Sequence, residues 1–198
     1  MARARALAED AAVSEDDRLR WNASWSAGAR RSVTPFLESL DALLPRQGRA
    51  LDVAGGPGHD ALWLAARGLD VTLVDLSDVA LARAREEAAA RRLPLTLEAR
   101  DLELQGLPDG RWDVVVCLNY LQRSLFPRWP EALAPGGLLV FAQPTRTNLE
   151  RHPKPSSRFS LEPGELATLV PPGLVVLSLT EAWTDQGRHE ARLVARRG

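Results

Sequence analysis

Apolar residues recur at two different spacings along the chain, and the spacing changes near residue 50. Before that point they fall at helical intervals. They predict one helix over Glu15–Trp25, with Leu19 and Trp21 as candidate buried side chains, and a second over Pro35–Leu44 behind an N-cap at Thr34. Residues 1–14 carry no clear apolar face, so we expect a flexible tail there.

From residue 50 onward, short apolar runs alternate with helical segments. Helices are predicted over Asp60–Arg67, Ser77–Arg92 and Pro127–Ala134, with strands between them over Ala50–Val53, Val71–Asp75, Leu95–Ala99, Asp113–Leu118 and Leu138–Ala142. This alternation predicts a parallel sheet covered on both faces by helices.

The last fifty residues follow a different pattern. Thr145–Ser160 reads as a long loop, and a short helix begins near Pro163. Leu174–Thr180 and Glu190–Ala195 predict an antiparallel hairpin turning at residues 185–187. The expected fold is therefore an α/β domain with a seven-stranded, mostly parallel sheet that ends in an antiparallel hairpin.

Composition narrows the class of protein. The chain has 198 residues, 45% of them hydrophobic and 26% charged, which suits one globular domain. A net charge of −1 argues against a nucleic-acid binder, and we expect neither a membrane segment nor a signal peptide. Cys117 is the only cysteine, which suits a reducing cytoplasm. The three histidines form no close pair, so no metal site is expected.

The strongest chemical signal is the glycine-rich turn between the first strand and the next helix, Ala54-Gly55-Gly56-Pro57-Gly58. Such a turn brings backbone close to a ligand, and Asp75 at the end of the second strand is placed to accept ribose hydroxyls. A dinucleotide site fits this pattern loosely. Asp52 at the end of the first strand weighs against pyrophosphate and favours a ligand that carries an ammonium group.

The motifs from Asp52 to Gly58, with Asp75, Asp101 and Pro135-Gly136-Gly137, resemble those of class I S-adenosylmethionine-dependent methyltransferases. The resemblance covers about residues 20–198. It implies a Rossmann-like three-layer sandwich in which residues 15–198 form one methyltransferase domain and residues 15–45 cover the cofactor site. Other stretches, among them Tyr120–Pro127, look like the small bacterial branch near tellurite and thiopurine methyltransferases.

The resemblance also implies roles for individual residues. Asp52 would face the methionine ammonium, Gly56 and Gly58 would give the backbone room, and Asp75 would hold the ribose hydroxyls. The remaining cofactor-binding candidates are Trp21, Ala54, which replaces the family's first glycine, Leu76 and Leu102 beside the adenine, Asp101 at its amino group, and Asn119 on the methionine and substrate side.

On this resemblance we expect a bacterial, cytoplasmic transferase, monomeric or homodimeric. It would convert S-adenosylmethionine to S-adenosylhomocysteine while methylating a small molecule. Tyr120 and His152 are the candidates for a base, Arg123 and Arg146 could face an anionic acceptor, and Trp21 and Trp25 with the 145–160 segment could close the site. A non-catalytic cofactor-binding module and an NAD(P)-linked oxidoreductase are the alternatives.

Overall fold

A computed structural model describes residues 15–26 and 32–198; the tail expected over residues 1–14 lies outside the described residues. The strands are β1 (Arg49–Val53), β2 (Asp70–Asp75), β3 (Thr96–Ala99), β4 (Trp112–Leu118), β5 (Leu133–Pro144), β6 (Leu174–Trp183) and β7 (His189–Arg197). The helices are α1 (15–26), α2 (Pro35–Ser39), α3 (His59–Ala66), α4 (Asp78–Arg91), α5 (Leu102–Gln105), α6 (Trp129–Ala132) and α7 (Glu165–Leu169).

These strands form one sheet in the order β3-β2-β1-β4-β5-β7-β6. The first five run parallel, and β7 pairs antiparallel with both β5 and β6. The predicted seven-stranded topology with its terminal hairpin is confirmed. The chain moves outward from β1 to β3 and then returns to place β4 on the other side of β1. The carboxyl ends of β1 and β4 therefore flank the switch point at which open α/β sheets bind ligands.

Alternation along β4 explains why both faces of the sheet carry a core. Val114 and Val116 belong to one buried cluster, whereas Val115 and Cys117 belong to the cluster on the opposite face. All four are at most 1% exposed. Because successive strand side chains point to opposite faces, a continuous apolar run is what a doubly covered strand requires. Burying each of these valines contributes roughly 1.5–3 kcal/mol.

The helices differ most from the sequence prediction at three places. α2 ends at Ser39 and continues as turns toward Leu44, which is nevertheless buried. The helix expected over Pro127–Ala134 is a 3₁₀ turn over Arg123–Arg128 followed by the single turn of α6. α5 was not anticipated; its N-cap is Asp101, which accepts from the Glu103 and Leu104 N–H groups.

β5 starts earlier than predicted and includes the Pro135-Gly136-Gly137 turn. Its register against β4 shifts between Trp112 and Val114. A Cβ on Gly137 would lie 2.8 Å from the Trp112 carbonyl oxygen, so the backbone passes too close for a side chain. This glycine admits an irregular strand entry rather than ending a helix.

The orientation predicted for α1 was wrong. Leu19 and Trp21 are 55% and 39% exposed, whereas Trp25 is 5% exposed. Asn22 docks the helix, because its Oδ1 accepts from the Ser77 hydroxyl at 2.6 Å. Arg18 adds an ion pair to Asp78 at 2.7 Å. α1 is therefore held on the start of α4, at the carboxyl edge of the sheet.

Candidate functional site

A cavity of about 600 Å³ opens along the carboxyl edge of the sheet. Its wall combines α1, the ends of β1, β2, β4 and β5, α5, and the 3₁₀ turn Ser157–Phe159. Eight of the predicted site residues line it: Trp21, Ala54, Asp75, Leu76, Asp101, Leu102, Asn119 and Tyr120. Asp52, Gly56, Gly58 and His152 lie outside this lining.

The glycine-rich turn is packed beneath Trp25. Gly56 has φ +58°, and a Cβ there would lie 2.7 Å from Cζ2 of the Trp25 ring. Only glycine combines this left-handed backbone with such close contact to the indole. Trp25 itself lines the cavity, so α1 covers the turn at its ligand side.

The glycine N–H groups of this turn already have acceptors inside the protein. Gly55 donates to the Val74 carbonyl at 3.3 Å, and Gly58 donates to the Gly55 carbonyl at 3.1 Å. Gly56 donates to Asp75 Oδ2 at 2.8 Å. A pyrophosphate bound by these three donors is therefore not favoured, which removes the main support for a dinucleotide site.

Asp75 ends β2 in the cavity wall and is 8% exposed. Its second oxygen, Oδ1, accepts from the Ser77 N–H at 2.8 Å. Burial raises the pKa of Asp75, and the N–H groups of Ser77, Gly56 and Leu76 oppose that rise. A carboxylate has about four lone-pair sites, so these bonds still leave acceptor capacity for a ligand hydroxyl.

Asp52 lies under the turn, 2% exposed, where its Oδ2 accepts from the Ala61 N–H at 3.1 Å. Burial, with the nearby carboxylates of Asp60 and Asp75, raises its pKa well above the ordinary range. Its position is compatible with an effect on the ligand through charge or through water, and the predicted contact with the methionine ammonium, directly or through water, stays a prediction.

The adenine-side candidates surround the start of α5. Leu102 is buried, Leu76 directly follows β2, and both line the cavity. Asp101 Oδ1 caps α5 through the Glu103 N–H at 2.8 Å. This capping role accounts for an aspartate at this position and leaves the predicted contact with an adenine amino group as a prediction.

Asn119 directly follows β4 with φ +62°, a conformation that asparagine tolerates better than most residues. Its Oδ1 accepts from Arg188 Nη2 at 2.6 Å. Arg188 belongs to the turn between β6 and β7, and its Nη1 contacts Glu190 at 3.2 Å. The terminal hairpin therefore reaches the cavity wall, which the sequence analysis did not anticipate.

Of the two candidate bases, the structure brings only Tyr120 to the cavity. Burial raises the pKa of the Tyr120 phenol above its ordinary value, so at neutral pH the group is a hydrogen-bond donor. His152 Nε2 donates instead to the Gly187 carbonyl at 2.7 Å. The hairpin turn thus holds His152 away from the wall in which it was predicted.

The two arginines proposed for an anionic acceptor are also engaged elsewhere. Arg123 binds both oxygens of Glu165, at 2.5 and 2.8 Å, and Arg146 pairs with Glu162 at 2.5 Å. Neither lines the cavity. Their acidic partners follow the 145–160 segment, so these pairs serve to fix that segment.

Gln143, Arg158 and Phe159 are among the wall residues that the sequence analysis did not single out. Gln143 is the penultimate residue of β5 and donates through Nε2 to the Phe159 carbonyl. The guanidinium groups of Arg20 on α1 and of Arg158 lie 5.6 and 5.2 Å from the centroid of the Phe159 ring. A glutamine inside an apolar strand was the available signal, since a buried amide requires hydrogen-bond partners.

Comparison with known proteins shows which proteins this chain resembles. Residues 50–137 match a family described as a methyltransferase domain. YqeM of Bacillus subtilis, a protein named as a methyltransferase, is 36% identical over 111 residues, which cover 52% of this chain and 44% of YqeM. The chain spans about half the length, or less, of the first curated relatives that it matches.

Solved structures give the same fold. The magnesium protoporphyrin IX methyltransferase of Synechocystis PCC 6803, crystallised with bound SAH, aligns with a TM-score of 0.73 at 16% identity, over 93% of this chain and 99% of that one. TehB of Haemophilus influenzae aligns with a TM-score of 0.69 at 19% identity, over 84% of this chain and 63% of TehB. These similarities support the class that the motifs predicted, a class I S-adenosylmethionine-dependent methyltransferase.

Proposed function

We propose that this chain binds S-adenosylmethionine in the cavity and transfers its methyl group to a small-molecule acceptor. The observation that carries the proposal is the position of Asp75. This buried carboxylate ends β2 in the cavity wall, next to the glycine turn, within a segment that matches the methyltransferase domain family. Carboxylates at this point of doubly wound sheets bind ribose hydroxyls.

The residues in the wall fit such a cofactor. The cavity volume of about 600 Å³ lies within the ordinary range of small-molecule sites. Asp75 offers acceptors for the ribose, Leu76 and Leu102 offer apolar surface for the adenine, and Trp21 and Trp25 offer aromatic faces that attract a positive sulfonium. The cofactor supplies a methyl group on a sulfonium, a leaving group that needs no further activation.

The chain's own residues would contribute alignment and exclusion of water. Trp25 covers the glycine turn, and Phe159 joins α1 to the loop after β5 through Arg20. Tyr120, as a protonated phenol, would donate a hydrogen bond that orients the acceptor. We therefore assign it positioning rather than proton removal. Alignment in a closed site supplies most of the catalysis that an in-line displacement requires.

The acceptor class follows from the charges around the wall. Since Arg123 and Arg146 pair with glutamates, an acceptor that needs two free arginines is not favoured. Arg20, Arg100 and Arg158 line the cavity together with Asp17, Asp75, Asp101 and Glu103, a nearly balanced set. We infer a small acceptor without a strong negative charge, and expect neither a nucleic acid nor a membrane as partner. Within residues 15–26 and 32–198, no helix is both long and apolar enough to cross a membrane.

Titration calorimetry of the purified chain with S-adenosylmethionine, S-adenosylhomocysteine and NADH tests the cofactor. We expect the first two to bind and NADH not to bind. Formation of S-adenosylhomocysteine with a panel of phenols, thiols and ring nitrogens then tests methyl transfer. Binding without turnover across a broad panel would favour the non-catalytic module, and binding of NADH alone would overturn the proposal.

A further inference from the structure

The amino-acid part of the proposed cofactor ends in a carboxylate, and the glycine turn has few donors left for it. The N–H groups of Gly55, Gly56 and Gly58 donate to protein oxygens, and the Ala61 N–H at the start of α3 donates to Asp52. A carboxylate taken out of water requires donors, because an unpaired buried charge is costly. Those donors must therefore come from another part of the wall.

Asn119 is placed to supply them. β1 and β4 are neighbouring strands, with Val53 opposite Cys117, so Asn119 and Ala54 follow adjacent strand ends and both line the cavity. The Asn119 Oδ1 is occupied by Arg188 at 2.6 Å. Because an amide presents its oxygen and nitrogen on opposite sides, this bond leaves the two Nδ2 hydrogens as the donors that Asn119 offers to a ligand.

A buried carboxylate in turn orients Arg188. Glu190 is 9% exposed and lies at the start of β7, where its Oε1 contacts Arg188 Nη1 at 3.2 Å. Its Oε2 accepts from Arg192 Nη2 at 3.1 Å, and Arg192 extends away to lie 4.8 Å from the Phe36 ring centroid. Glu190 thus holds two arginines, only one of which reaches the cavity wall.

We propose that Arg188 is a positioning residue: anchored by Glu190, it fixes the Asn119 amide so that its N–H groups donate to the carboxylate of the cofactor's amino-acid part. This inference rests on the proposed function and adds the terminal hairpin to the cofactor site. It also explains why Arg188, in a hairpin turn, forms a hydrogen bond to Asn119, which lies 69 residues earlier in the sequence.

Three variants and two ligands test the inference by calorimetry. 5′-Methylthioadenosine contains the adenosine and sulfur of S-adenosylhomocysteine but lacks the amino-acid part. Asn119→Asp keeps the pairing with Arg188 while replacing the donors with oxygen, and should weaken S-adenosylhomocysteine at least about tenfold. Arg188→Met should weaken it by about threefold to tenfold by releasing the amide. Both substitutions should change the affinity for 5′-methylthioadenosine by no more than about twofold.

Arg192→Met is the matched control, because it also removes a partner of Glu190 but lies on the side away from the cavity. This substitution should change the affinity for either ligand by no more than about twofold. Equal losses for the two ligands, or unchanged S-adenosylhomocysteine affinity in Asn119→Asp, would overturn the inference while leaving the proposed function intact. If the unaltered chain bound no S-adenosylhomocysteine, the proposed function would fail first and this inference with it.

Discussion

Asp75 is the single residue on which the proposed cofactor site depends most. Asp75→Asn keeps one oxygen for the backbone donors and loses charge and acceptor capacity, so S-adenosylhomocysteine binding should weaken by about 1.5–3 kcal/mol. Asp70→Asn, at the opposite end of the same strand, is the control and should leave affinity unchanged. Calorimetry with thermal unfolding separates binding from folding; equal affinity in the Asp75 variant would remove this residue from the site.

Ala54 has a strained backbone conformation in the glycine-rich turn. Its φ of +54° lies in the left-handed region, where a Cβ is unfavourable by roughly 1–2 kcal/mol. Ala54→Gly relieves that strain and loses part of the gain to the more flexible unfolded chain, so we expect a net stabilisation of about 0.5–1 kcal/mol in denaturant unfolding.

Ala82→Gly provides the contrast for this prediction. Ala82 is exposed in the interior of α4, where the same substitution should destabilise by roughly 0.5–1 kcal/mol. S-Adenosylhomocysteine affinity should change by less than about 1 kcal/mol in either variant. A loss of stability in Ala54→Gly would show that the methyl group packs favourably enough to outweigh the strain.

Asp52 makes stability depend on pH. Its pKa is raised in the folded chain by burial and by Asp60 and Asp75, so the stability it contributes is present at low pH and lost as pH rises through that folded pKa. Asp52→Asn retains an oxygen for the Ala61 N–H and removes the buried charge. We expect it to raise the free energy of unfolding by about 1–2 kcal/mol near pH 8, and by less near pH 5. The same gain at both pH values would show that Asp52 is ionised in the folded chain at both, so that its pKa is not raised into this range.

At the scale of elements, α1 is the piece of the structure that closes the cavity. Trp25 packs on Gly56 and lines the cavity, while Leu19 on the same helix points to solvent. Trp25→Ala should weaken S-adenosylhomocysteine binding by about tenfold, as the loss of a buried aromatic contact usually does, whereas Leu19→Ala should not. If both variants bound equally well, α1 would cover the turn without contributing to the site.

The elements also show what could be predicted from the sequence. The strands were predicted at the right places because buried parallel strands are short, continuous apolar runs, as in Val114–Cys117. α1 was oriented wrongly because its burial depends on a partner, the backbone of Gly56, that lies far along the chain. α5 was missed because four residues are too few to show helical periodicity, although Asp101 was a recognisable N-cap.

The site residues also divide into those that could be predicted from the sequence and those that could not. Residues at or just after strand ends, such as Asp75 and Asn119, were predictable because topology brings the carboxyl ends of parallel strands to one edge. His152 and Arg188 were not, because the hairpin decides their positions: it holds His152 through the Gly187 carbonyl and directs Arg188 to Asn119. Contacts that join sequence-distant loops leave no periodic pattern in the chain.

For the whole molecule, the cavity is where otherwise separate parts meet: α1, the strand ends, α5 and the turn Ser157–Phe159. A ligand that contacts all of them binds the folded chain and not the unfolded one, so it should stabilise the fold by mass action. At S-adenosylhomocysteine concentrations of about one hundred times its dissociation constant, the free energy of unfolding should rise by about 2.7 kcal/mol.

Hydrogen exchange locates that stabilisation. With S-adenosylhomocysteine bound, amides in residues 15–26 and 157–161 should exchange more slowly, because α1 and the turn are joined there through Arg20 and Phe159. The edge strand β6, which lies beyond β7 and away from the cavity, is the internal control, and its locally opened states should be unaffected. Protection spread evenly over β6 and the cavity segments would mean that the ligand acts only on global unfolding, and α1 would then not close over it.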